Sequence, residues 1–146
     1  QTIRIPGLVA GPPLVDATDP WALADRMIAA GLPAEVEINA DREPRIRSQL
    51  DGITFFLLFY GCTTEVDCRS VQFIAGFTMN TPPQLAVVND WNAARIIGKA
   101  HLDEEGMPWI NHLVTLEHGV TQDNFAAAIE SWRIALRDFI AHIGFR

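Results

Sequence analysis

Asp51-Gly52-Ile53-Thr54-Phe55-Phe56-Leu57-Leu58-Phe59-Tyr60 is the stretch whose reading decides the fold. Asp-Gly between apolar segments marks a two-residue hairpin, because such turns need a positive φ at both central positions. The eight residues after it place large apolar side chains on both faces of an extended strand. This is the longest apolar run in the chain, and it falls well short of the roughly 20 residues that span a bilayer. No membrane insertion is expected. Both faces of the strand call for cover, which leaves two arrangements open. Either the chain's own helices cover both faces, or they crowd one face and leave the other to a partner subunit.

Upstream, Arg45 to Leu50 alternates apolar and polar and pairs back across the hairpin. A turn at Asp41 to Pro44 separates it from Ala34 to Ala40, which alternates through Val36 and Ile38. Downstream, Ser70 to Met79 sets Val71, Phe73, Ala75, Phe77 and Met79 on one face. These four strands predict an antiparallel meander.

Helical signals flank the meander. Asp19 offers an N-cap, Pro20 suits the first helical position and Gly31 the left-handed stop, with Trp21, Leu23, Ala24, Met27 and Ile28 as the apolar stripe. Thr81-Pro82-Pro83 opens a second helix from Gln84 to about Ile97, with Leu85, Val88 and Trp91 as apolar positions and Gly98 as terminator. Strands around Lys99 to Leu102 and Met107 to Leu116 then bracket the reversal Asp103-Glu104-Glu105-Gly106. Thr121 caps a last helix in which Phe125, Ile129, Trp132, Leu136, Phe139 and Ile143 recur every three or four residues. The expected fold class is α+β, with an antiparallel sheet and the element order α-ββββ-α-ββ-α. Residues 1–18, with Pro6, Gly7, Gly11, Pro12 and Pro13, are expected as an extended arm, since these residues suit neither helix nor sheet. Residues 19–146 then form a single domain.

The chain is 49% hydrophobic and 20% charged, a balance that supports a packed core rather than disorder. A net charge of −7 opposes general affinity for nucleic acid or anionic membrane surfaces, both of which select basic patches. Gln1 as first residue is read as either a trimmed start or the remainder after removal of a leader. Cys62 and Cys68 are too widely spaced for a redox Cys-x-x-Cys and lack a second zinc pair, so a disulfide is the expected pairing. That bond implies a periplasmic or secreted protein. Two reduced thiols in a cytoplasmic protein are the alternative.

Among side chains able to carry chemistry, Asn89, Trp91 and Asn92 form a polar cluster around an aromatic on the second helix, a candidate binding site for an amide or carboxylate. The same residues equally suit a structural role, fixing the helix to its sheet. His101, His112, His118 and His142 lack metal-ligand spacing, and no metal or other cofactor is expected. His112 alternates with Ile110 and Val114, so it is expected on the buried face of its strand with a hydrogen-bond partner. No nucleophile with a base, Gly-x-Ser-x-Gly elbow or phosphate loop occurs, and no catalytic residue is expected.

Tyr60-Gly61-Cys62 ending a hydrophobic strand, Phe73 and Phe77, Asn89-Asp90-Trp91-Asn92 followed by Lys99-Ala100, Asp103 with Gly106, Gly119, and Trp132 with Phe139 together resemble the YbjN-domain family. The family carries the name of putative bacterial sensory transduction regulators, and the resemblance spans about Asp19 to Phe145. It implies a fold similar to the type III secretion chaperones and no established catalytic residues. His101 and Asn111-His112 depart from the family's pattern.

Two functional readings follow. One is a noncatalytic bacterial protein-binding or regulatory module that holds a partner segment on an apolar surface. The other is a small-molecule binder or enzyme with a pocket near Asn89, Trp91 and Asn92. A homodimer is expected, since two-fold closure commonly masks an apolar surface.

Overall fold

In the computed structural model, residues 13–64 and 66–146 are described. Of the expected arm, Pro6, Gly7, Gly11 and Pro12 therefore lie outside the described residues. The part from Pro13 onward is drawn into the fold. Val15 and Val120 exchange both backbone hydrogen bonds, Ala17 bridges to Cys68, and both Val15 and Ala17 are buried.

Helix α1 (Pro20–Ala29) starts where Asp19 accepts hydrogen bonds from the amides of Trp21 and Ala22, and it stops before Gly31 at φ +93°. Its buried side is Leu23, Ala24 and Met27, whereas Trp21 and Ile28 of the expected stripe are more than half exposed. The meander follows as β1 (Glu35–Ile38), β2 (Pro44–Leu50), β3 (Ile53–Tyr60) and β4 (Ser70–Gly76). Asp51 and Gly52 both take positive φ in the β2–β3 turn, as the Asp-Gly pair requires. Helix α2 (Leu85–Ala94) is shorter than its sequence pattern suggested. Gln84, not Thr81, occupies the N-cap, and the helix ends before Ile96 and Gly98. Only Val88 and Trp91 are buried on it, and Leu85 is exposed.

Strands β5 (Lys99–Leu102) and β6 (Pro108–Thr115) complete one antiparallel sheet of order β1-β2-β3-β4-β6-β5. Helix α3 (Gln122–His142) is capped by the Thr121 hydroxyl, which accepts from the Asn124 amide. Its seam of Phe125, Ile129, Trp132, Leu136 and Phe139 is buried, as is Ile143 just beyond it. Trp132 packs against Phe55 and Phe73 with ring centroids 5.8 and 5.5 Å away, so α3 lies across the middle of the sheet. The Trp132 indole N–H is buried without an acceptor among the described residues. Arg26 of α1 and Gln122 of α3 exchange two hydrogen bonds, which sets these helices side by side. Trp91 meets Phe139 edge-on at 5.1 Å and thereby ties α2 to the end of α3.

Strand register shows what this packing leaves out. Ile46, Phe55, Leu57, Val71, Phe73, Ala75 and Ile110 are buried on one face. All three helices contribute to that single core. Among the described residues, the opposite face of β3 is therefore not covered by a helix, so the chain's described helices crowd one face rather than covering both.

Candidate functional site

The open face runs, strand by strand, through Glu35 and Glu37, Arg45 and Arg47, Phe56, Leu58 and Tyr60, Gln72 and Ile74, Asn111 and Leu113, and Lys99 and His101. Its two margins are built differently. On the β1 side, Glu37 accepts from Arg45 Nε at 2.9 Å and from Arg47 Nε at 2.7 Å. The hydrogen bond from Arg47, with Arg45 adding to it, holds the Glu37 carboxyl below its ordinary pKa. Both guanidiniums lie over the Phe56 ring, 4.1 and 5.0 Å from its centroid, and give that ring partial cover. On the other side, the Trp109 ring lies over Gly76, where a Cβ would come within 2.7 Å of it. Trp109 also stacks on His101 and donates its indole N–H to Asp103 Oδ2 at 2.9 Å. That bond, with the backbone amides of Met107 and Glu105, keeps Asp103 ionised to lower pH than usual. Between the margins, Leu58 and Ile74 are half-buried, Tyr60 is 45% exposed and Leu113 is 57% exposed.

Asn92 and Trp91 contact the scaffold. The Asn92 amide accepts from the Ala100 N–H and donates to the Ala100 carbonyl, both at 2.9 Å. It thus occupies the outer edge of β5 as a substitute strand, blunting an edge otherwise open to pairing. Trp91 donates its buried indole N–H to the Gly98 carbonyl at 2.8 Å. Asn89 is exposed on the same helix. Cys62 and Cys68 are joined as a disulfide.

His112 lies on the helix side of β6 opposite Phe73, and burial pushes its ring pKa down. Its ring has no hydrogen-bond partner among the described residues, contrary to the expectation of a satisfied histidine. It lines a cleft of about 450 Å³ together with Tyr60, Gln72, Ile96, Gly98, Lys99, Asn111 and Leu113. Sequence reasoning passed over this cleft. The available signal was length, since a four-residue strand beside one of eight leaves part of the longer edge unpaired.

Among the described residues no group of three or more His, Cys, Asp or Glu side chains is placed to hold a metal ion. No helix among them is long and apolar enough to cross a membrane. A family model described as "Putative bacterial sensory transduction regulator" (YbjN) matches residues 22–145. No curated protein and no solved structure matches the chain, so the likeness to secretion chaperones rests on the sequence resemblance alone.

Proposed function

The chain belongs to the YbjN family, and from that premise we propose that it is a noncatalytic regulatory module that acts by protein contact through the open face of its sheet. The observation that carries this reading is the one-sided cover of the sheet. Three helices converge on one face, and Leu58, Ile74 and Leu113 remain at least partly open to solvent on the other. A contiguous apolar strip rimmed by polar groups is the usual mark of an interaction surface. The first partner is a second copy of the chain, paired face to face about a two-fold axis. A net charge of −7 opposes this weakly, because physiological salt screens charges beyond roughly 8 Å.

Sedimentation equilibrium over a wide concentration range tests the pairing. A dimer is expected for the native chain and a folded monomer for Leu58→Glu, which sets a charge on the strip. A native chain that stays monomeric throughout would overturn the dimer and remove the main physical support for this surface. The disulfide supports an oxidising compartment, periplasmic or extracellular. Thiol alkylation of never-reduced protein from source cells tests it; complete labelling of Cys62 and Cys68 would return the protein to the cytoplasm.

A further inference from the structure

Strand β5 pairs with β6 only from Pro108 to Asn111. Beyond Asn111, β6 continues for four residues, His112 to Thr115, which pair with β4 on one side. No described backbone group pairs with them on the other. The chain enters β5 through Gly98, whose φ is +91° and whose Cβ, if present, would meet Ile110 Cδ1 at 2.7 Å. Just before that point Ile96 is 97% exposed. The segment leading into β5 therefore turns aside and leaves half of the β6 edge free, in contrast to the β5 edge that Asn92 blocks.

The cleft beside this free edge is rich in donors and contains no acidic residue. Asn111 is only 5% exposed, yet its amide makes no hydrogen bond among the described residues, and Lys99 has no ion pair there. Gln72 takes the Tyr60 hydroxyl on its Oε1, which leaves its amide N–H groups to spare. In a chain of net charge −7, a solvent-facing ammonium without an ion pair, paired across the strands with an Asn whose amide makes no hydrogen bond among the described residues, favours an anion. A strand laid on His112–Thr115 in line with β5 runs antiparallel to β6 and reaches Lys99 with its C-terminal end. It must stop there, because the chain entering β5 occupies the next position. The opposite direction would bring an N-terminal ammonium to Lys99.

We propose that the free half of the β6 edge binds the C-terminal end of an extended partner polypeptide, added as a strand antiparallel to β6 with its terminal carboxylate on Lys99 and Asn111. Leu113 and Ile96 flank the added strand and receive its apolar side chains. The inference deepens the protein-binding reading above by naming the chemistry of one partner.

The test is an amide-shift NMR titration of the full chain with acetyl-Thr-Val-Thr-Val-Val, prepared both as the free acid and as the C-terminal amide. Expected are saturable shifts at His112–Thr115 and Lys99, binding of the acid about tenfold tighter than of the amide, and loss of that preference in Lys99→Gln with folding unchanged. Equal binding of acid and amide, shifts that map elsewhere, or no saturable binding would overturn the proposal. So would acetyl-valine matching the peptide, since that would make the cleft a site for small free carboxylates. A dimer that persists while the acid preference is absent would leave the sheet-face reading standing. Peptide binding by a monomeric chain would do the reverse.

Discussion

On the helix side of the sheet, Phe55, Leu57, Val71, Phe73 and Ile110 have no exposed surface, whereas on the reverse of the same strands Phe56, Leu58 and Ile74 are half-buried and Leu113 is mostly open. The residue types on the two sides of β3 are nearly alike, so composition does not separate the faces. The neighbours separate them. Arg45, Arg47 and Gln72 fall on the open side, Ile46, Val71 and Phe73 on the closed one, and a helix packs only where every strand offers an apolar side chain. A strand that is apolar on both faces thus need not be covered on both by the helices of its own domain.

The largest expected contrast lies in truncation. Trp132→Ala, which opens a cavity among Phe55 and Phe73, should cost about 3–5 kcal/mol in urea unfolding, against about 1 kcal/mol or less for Leu58→Ala on the open face. Trp132→Phe should cost under about 1.5 kcal/mol, because it keeps most of the ring and removes the indole N–H that lacks an acceptor. Comparable losses for Leu58→Ala and Trp132→Ala would mean that the open face carries as much of the fold as the core does.

Reduction of Cys62–Cys68 comes next. In the loop-entropy model a bridge of this short span contributes about 2 kcal/mol, so the unfolding midpoint should fall on adding dithiothreitol. Intact mass should rise by two hydrogen atoms at the same time.

The edge contrast is smaller. Asn92→Ala should lose about 1 kcal/mol and raise hydrogen exchange at Ala100, whose amide the side chain accepts, while Asn89→Ala should be near neutral. Equal and small effects at both positions would show that the Asn92 clamp does not hold the β5 edge.

The smallest effect concerns pH. Burial lowers the His112 pKa in the folded state, so the fold favours the neutral ring. That contribution is fully present above the unfolded value near about 6.5 and is lost as pH falls through the lowered folded value. Stability should therefore drop more for the native chain than for His112→Gln between about pH 7.5 and about pH 5. Identical pH profiles would sink this assignment.

Local chemistry made much of the fold legible. Asp19-Pro20, Asp51-Gly52 and Thr121 act through contacts within three residues, so they read from sequence much as they stand. The sequence reading carries α2 to about Ile97 because Gly98 is the first residue that looks like a terminator, whereas the helix ends at Ala94 and Ile96 is exposed in the segment entering β5. The candidate site was less legible. Asn92 stood out as a polar residue beside an aromatic, but only the placement of β5 shows its amide clamped on Ala100. Lys99 and Asn111 carry no local signal, since their relevance comes from strands meeting across the chain.

By itself the sequence determined the element types, the β2–β3 hairpin turn, the N-caps of α1 and α3 and the seam of α3, because each depends on backbone preference or on periodicity along one segment. Only the tertiary structure decided which face of the sheet the helices take and which edge remains free. Those outcomes depend on how six strands align side by side and how far each extends past its neighbour, quantities that no single segment encodes.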